Sequence, residues 1–227
     1  MSASPRFAAR AVLFDLDGTL IDTAPDLAVA AERTFADLGR PPRAMDDIRR
    51  FVGKGIPHLM RRSLSEGMDQ PADEAEIERA VNIFREHYAE VNGLYSRVYP
   101  GILDTLKVLR EQGRMLACVT NKTANFTLPL LHKLALDEWF DTVVSGDTLP
   151  VKKPDPAMLH HACEHFGLAP QQALMVGDSA NDADAARAAA MPVLLVTYGY
   201  SEGMPVDTIE CDGLISNAYQ VLNWVTR

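Results

Sequence analysis

The chain has 227 residues, 47% hydrophobic and 23% charged, with a formal net charge of −9. That balance suits one buried core, or a core with an insertion, and excludes wholesale disorder. The acidic surface argues against nucleic acid or an anionic membrane as the main partner, so an anionic ligand would need positive charge concentrated locally. Cys118, Cys163 and Cys211 are widely spaced with no CxxC, which reads as reduced thiols in a cytoplasm. Residues 1–10 show no apolar leader segment, and no apolar run has the length of a membrane span.

In chain order, the first apolar run is Ala11–Phe14, read as a strand buried on both faces. The next convincing strand comes about a hundred residues later, too far for an ordinary crossover. The stretch between is helical in pattern. Pro25 suits the first turn of a helix reaching Leu38, closed by Gly39 and the Pro41-Pro42 pair. Further helical stretches cover 46–51, 57–64 and 73–91, with a flexible turn at Gly53-Lys54-Gly55. Residues 23–97 therefore read as a helical cap inserted into a core made of 1–22 and 98–227, hinged near 20–23 and 96–101.

Strands at Met115–Val119, Thr142–Val144, 173–176 and Val193–Val196 then alternate with helices at 104–112, 125–134, 156–167 and 182–190. Alternation of this kind predicts an α/β doubly wound parallel sheet, a Rossmann-like core.

Four polar clusters follow apolar runs: Asp15-Leu16-Asp17-Gly18-Thr19, Thr120-Asn121, Lys152-Lys153-Pro154, and Gly177-Asp178-Ser179 with Asp182 close behind. In a parallel sheet the carboxyl ends of the strands share one edge, so these clusters converge there. Asp15, Asp17 and Asp178 would repel one another unless a divalent cation joined them, and hard oxygen donors suit Mg²⁺. Such a cation also neutralises a phosphoryl group held against a carboxylate nucleophile. The Thr120 hydroxyl, backbone N–H groups and a lysine would hold the phosphate oxygens.

Each cluster alone has a plainer explanation. Asp178 or Asp182 could cap a helix, Thr120-Asn121 could be a turn, and Lys152 and Lys153 could be a solvated pair, which for Lys152 is the expectation. Their joint order favours the chemical reading. His160, His161 and His165 suggest a metal cluster at first glance, but no cysteine or carboxylate pattern completes a zinc site.

Phe14-Asp15-Leu16-Asp17-Gly18-Thr19-Leu20 resembles the first motif of the haloacid dehalogenase superfamily. Thr120, Lys153 and Gly177-Asp178-Ser179-Ala180-Asn181-Asp182 match the second, third and fourth in order. The resemblance implies that Asp15 attacks phosphorus and that Asp17 protonates the leaving alkoxide and later activates water. It implies that Thr120, with neighbouring Asn121, and Lys153 bind the phosphoryl group. Asp15, the Asp17 backbone carbonyl and Asp178 would hold Mg²⁺, with Asp182 in support. Asp17 is the residue that separates phosphatases from the metal-free dehalogenase branch.

Within the superfamily the likeness is to the bacterial phosphoglycolate phosphatases, carried by Arg50-Phe51-Val52-Gly53-Lys54-Gly55, Tyr99-Pro100-Gly101, Lys153-Pro154-Asp155-Pro156 and Tyr198-Gly199-Tyr200. Ala190 departs from that pattern, which often has glycine there. The expectation is Mg²⁺-dependent hydrolysis of a small anionic phosphate ester, 2-phosphoglycolate by resemblance. The rivals are another small sugar phosphate or pyrophosphate, a phosphomutase of the same fold, and a carbon–phosphorus hydrolase using Lys54. Gly53, Lys54 and Gly55 are the expected source of specificity, and the oligomeric state is left open.

Overall fold

The computed structural model describes residues 7–226. Of the stretch 1–10, residues 1–6 lie outside the described residues.

The centre is a six-stranded parallel sheet. Its strands are β1 (Ala11–Phe14), β4 (Met115–Val119), β5 (Thr142–Val144), β6 (Ala173–Gly177), β7 (Val193–Val196) and β8 (Gly213–Ile215), in spatial order β5-β4-β1-β6-β7-β8. A separate two-stranded antiparallel ribbon joins β2 (Ile21–Asp22) to β3 (Arg97–Val98). The continuous Val/Leu runs form central strands because both faces are covered. On β1, Val12 and Phe14 enter one buried cluster, and Ala11 and Leu13 enter the other. Helices α5 (Ile102–Glu111) and α6 (Ala124–Lys133) supply Leu106, Leu109, Leu130 and Leu131 to the first cluster. Helices α7 (Ala157–Phe166) and α8 (Ala180–Ala188) supply Met158, Leu159, Ala183 and Ala186 to the second. Each leucine so buried contributes about 1.5–3 kcal/mol of transfer free energy.

Register fixes where the chemistry falls. Phe14 lies opposite Cys118 on one side and Val176 on the other. The residues that follow, Asp15, Thr120 and Asp178, therefore emerge at one edge of the sheet. Cys118 is fully buried in the first cluster, as a core filler should be.

Between β2 and β3 lie α1 (Ala24–Leu38), α2 (Met45–Phe51), α3 (Ile56–Ser65) and α4 (Glu74–Val91). Pro25 sits in the first turn of α1, and Gly39 closes it at φ +65°. The Asp73 side chain caps α4 by accepting the Glu76 N–H at 2.8 Å. These helices bury Leu27, Phe35, Phe51, Met60, Phe84 and Tyr88 against one another in a third cluster, which Phe126 and Tyr200 join from the sheet side. The Asp26 carboxylate is wholly buried in the first turn of α1. It accepts the Gly93, Tyr95 and Ser96 N–H groups and the Ser96 hydroxyl, tying the start of the helical segment to its end. Among the described residues no helix is long and apolar enough to cross a membrane.

Candidate active site

Lys153 organises the sheet edge. Its side chain is almost wholly buried, and its ammonium donates to Asp15 Oδ1 (2.8 Å), Asp182 Oδ1 (2.6 Å) and the Val119 carbonyl (2.8 Å). Burial opposes its charge, but the two carboxylates raise its pKa, so it stays an ammonium. The Lys153 main chain is held by Asn121, whose Oδ1 accepts the Lys153 N–H and whose Nδ2 donates to the Lys153 carbonyl, both at 2.9 Å. The same Nδ2 donates to the Gly53 carbonyl at 2.9 Å. The Asn121 side chain is thus spent on bracing. Its backbone N–H has no main-chain partner among the described residues and faces the role of an anion donor.

Asp15, Asp178 and Asp182 each place a carboxylate oxygen within 4.8 Å of the others. Burial is the main cause that lifts Asp15 to about 7, with Asp182 adding to it against the pull of Lys153. Burial and the neighbouring Asp182 and Asp15 push Asp178 well above the usual carboxylate range. The donors are uneven. Asp182 Oδ2 accepts the Asp178 and Ser179 N–H groups and the Ser179 hydroxyl, and Oδ1 takes Lys153. Asp182 is therefore both the N-terminal cap partner of α8 and a brace for the lysine. Asp15 and Asp178 each keep one oxygen without a hydrogen bond among the described residues. Hard, crowded, half-satisfied carboxylates fit a small divalent cation, which would displace the protons that burial and crowding otherwise favour.

Asp17 faces the other way. Lys122 Nζ donates to both its oxygens, and the Thr23 hydroxyl donates to Oδ1 at 2.7 Å. Lys122 is buried, 5.0 Å from the centre of the Tyr88 ring. Thr120 is buried after β4. Its Oγ1 accepts the Lys122 N–H at 3.2 Å, leaving its own hydrogen free to donate.

A cavity of about 110 Å³ opens between this edge and the helical segment. Asp15, Asp17, Thr120, Asn121 and Lys122 line it from the sheet side. Gly53, Gly55, Arg85 and Tyr88 line it from the helical side. Gly53 has φ +132°, a backbone conformation that favours glycine, and a Cβ there would also displace the Glu202 carboxylate. Lys54 points elsewhere: its ammonium lies 3.3 Å from Glu202 Oε2, and the side chain is half exposed. Lys152, expected to be merely solvated, instead lines the cavity with its ammonium beside Gly55.

Sequence reasoning did not single out Lys122, Thr23, Arg85, Tyr88 or Tyr200. Tyr200 N–H donates to Asp178 Oδ2 at 2.6 Å, while its hydroxyl donates to Asp22 Oδ1 and accepts the Thr23 and Ala24 N–H groups at 2.7 and 2.9 Å. The Tyr198-Gly199-Tyr200 string was the only signal in the sequence that pointed to it. The three histidines stay apart from the site; His165 packs edge-on against Phe166.

Comparison with known proteins agrees with this arrangement. Residues 9–190 match the model of a haloacid dehalogenase-like hydrolase family. The chain is 44% identical over 218 residues to a phosphoglycolate phosphatase of Thiobacillus denitrificans, covering 96% of each chain. It is 46% identical over 218 residues, again covering 96% of each, to one of Nitrosospira multiformis. A crystal structure from Haemophilus somnus, described as a predicted phosphoglycolate phosphatase, superposes with a TM-score of 0.90 at 33% identity, covering 95% of this chain and 97% of that one.

Proposed function

This chain belongs to the haloacid dehalogenase-like hydrolases, as a phosphoric monoester hydrolase acting on a small phosphate ester through an aspartyl-phosphate, and from that premise we propose that it hydrolyses 2-phosphoglycolate with Mg²⁺. The observation that carries this reading is the pairing, across one small cavity, of a lysine-held carboxylate at Asp15 with a second carboxyl at Asp17. Relatives named phosphoglycolate phosphatases support the substrate.

In this reading one carboxylate oxygen of Asp15 attacks phosphorus while the other stays on the metal and lysine side. The Thr120 hydroxyl and the Asn121 N–H donate to the phosphoryl oxygens, and the Lys153 ammonium, which gives up one of its three present acceptors to reach them, balances their charge. Asp17, fixed by Lys122 and Thr23, gives a proton to the leaving glycolate oxygen and then takes one from the water that opens the acyl phosphate. Asp15, the Asp17 carbonyl and Asp178 would hold Mg²⁺, which supplies charge neutralisation at the phosphoryl group. Asp182 supports Lys153 and the loop that carries Asp178. Residues 23–97 act as the cap over a core of 1–22 and 98–227, and Gly53-Lys54-Gly55 form its edge at the cavity. The enzyme would work in the reducing cytoplasm, where its free cysteines stay thiols.

The test is kcat/KM over a panel of phosphate esters and pyrophosphate, with and without Mg²⁺. Phosphoglycolate should lead the panel only when Mg²⁺ is present. A sugar phosphate ranking first, or turnover of glucose 1-phosphate that needs a bisphosphate activator, would replace this substrate assignment.

A further inference from the structure

We propose that Arg85 and Tyr88, on one face of α4, form the subsite that takes the carboxylate of the substrate and so set the specificity of the enzyme. This rests on the reading of the substrate as a small ester with a second anionic group.

The first observation is Tyr88. Its side chain is fully buried and lines the cavity, and its hydroxyl lies near the Lys122 ammonium without a well-formed hydrogen bond among the described residues. A buried hydroxyl whose one polar neighbour is an ammonium keeps hydrogen-bonding capacity that an anion drawn to the same ammonium can use. Phe84 and Phe126 pack against its ring, with centroids at 5.6 and 4.9 Å, and fix it there.

The second observation is Arg85. Three residues earlier on the helix, it shares the face of Tyr88 and lines the same cavity. Neighbouring arginines of the helical segment are spent on carboxylates: Arg33 on Glu90, Arg40 on Glu76, Arg61 on Glu74 and Arg62 on Glu66. Arg85 has no carboxylate partner among the described residues, and its one side-chain contact is a long 3.5 Å approach to Asn82. Arg85 is exposed at the rim of the cavity, so its guanidinium is free to meet an anion that enters there.

The other cations are assigned elsewhere. Lys153 is held by Asp15 and Asp182, Lys122 by Asp17, and Lys54 by Glu202 outside the cavity. Lys152 alone competes, and it stands by Gly55 rather than on α4. Position favours the α4 pair. The Tyr88 ring contacts Lys122, and Lys122 contacts Asp17, the proposed donor to the leaving oxygen. In glycolate the carboxylate is one methylene from that oxygen, so it falls on the Tyr88 side.

The experiment compares 2-phosphoglycolate with 2-hydroxyethyl phosphate, which keeps the phosphate and replaces the carboxylate by an uncharged CH₂OH. The variants are Arg85→Gln, Tyr88→Phe and Lys152→Gln, each checked by circular dichroism. Arg85→Gln should lower kcat/KM for phosphoglycolate about tenfold more than for 2-hydroxyethyl phosphate, mostly through KM. Tyr88→Phe, which keeps the packed ring, should shift the same ratio by severalfold, and Arg85→Lys should restore part of the loss. Equal losses on both esters, or a ratio that collapses only in Lys152→Gln, would overturn the subsite while leaving the phosphoglycolate assignment standing. A wild-type enzyme that does not prefer phosphoglycolate over 2-hydroxyethyl phosphate would overturn both.

Discussion

Lys122 Nζ bridges the two carboxylate oxygens of Asp17, at 2.9 and 3.0 Å, across 105 residues of sequence. Both side chains are largely buried, 7% and 14% exposed. Burial opposes the charge on Lys122, but Asp17 and Tyr88 together outweigh it and raise the lysine's pKa. Removing one partner of such a pair leaves the other charge uncompensated. Lys122→Met should therefore destabilise the protein by about 3 kcal/mol. The check is a double-mutant cycle with Asp17→Asn in urea. The double variant should recover about 1–3 kcal/mol relative to the sum of the single losses. Strictly additive losses would show that the pair has no energetic meaning.

Asp15→Asn should abolish turnover, because an amide cannot form the acyl phosphate. It should also stabilise the protein in a chelator, and the sign follows from burial. The folded-state pKa of Asp15 is raised from 3.8 to about 7, so ionising it costs more in the native state than in the unfolded chain. That cost is absent below the unfolded value and grows to its full size as pH passes about 7. The Tm advantage of Asp15→Asn over wild type should accordingly be larger at pH 8 than at pH 5. Retained activity would refute the nucleophile, and a Tm gap of the opposite trend would refute the burial argument.

Chelation should stop hydrolysis and Mg²⁺ should restore it, with Ca²⁺ a poor substitute because it accepts looser, higher coordination. Asp178→Ala should raise the Mg²⁺ concentration needed. Burial, with the neighbouring carboxylates adding to it, favours protons on Asp15 and Asp178, so Mg²⁺ must displace them. Thermal protection by a fixed Mg²⁺ concentration should thus be greater at pH 8 than at pH 5. Protection that ignores pH would remove these carboxylates from the ligand set.

Ala190 carries a left-handed backbone at φ +53°, in the exposed turn between α8 and β7. A side chain there costs about 1 kcal/mol against glycine, part of which glycine returns as unfolded-chain entropy. Ala190→Gly should raise the urea midpoint by the equivalent of about 0.5 kcal/mol without changing kcat. A lowered midpoint would mean that the turn gains more from the methyl group than it loses to its backbone.

The central strands and most helix ends were legible because they rest on local signals. Continuous apolar runs mark β1, β4, β5 and β7, and Gly39 and Gly167 close their helices in the left-handed conformation. β8 escaped notice because it is three residues long with Leu214 exposed at the sheet's edge, and β2 and β3 because two residues carry no period. In the site, the four motifs were visible as aspartates, a threonine and a lysine after strands. Their auxiliaries were not. Lys122 in Thr120-Asn121-Lys122-Thr123 reads as a solvated lysine, and nothing local reveals that Asp17 lies above it. Arg85 and Tyr88 read as ordinary members of an amphipathic helix, since the cavity they face is made by another part of the chain.

The β2–β3 ribbon has a consequence for how the molecule is put together. Asp22 pairs with Arg97, and Ile21 with Val98, so the chain leaves the sheet domain and re-enters it through adjacent, hydrogen-bonded strands. The helical segment hangs from a single doubled stem, like a bulb on two twisted wires. Its removal leaves two ends already side by side, which a tight turn suffices to rejoin. A different segment with the same close spacing of ends could be joined to the same stem, but it would have to replace the contacts that Thr23, Gly53 and Tyr88 make with Asp17, Asn121 and Lys122. The covalent attachment of the whole helical segment is thus concentrated at residues 22 and 97, while its grip on the site is spread over side-chain contacts.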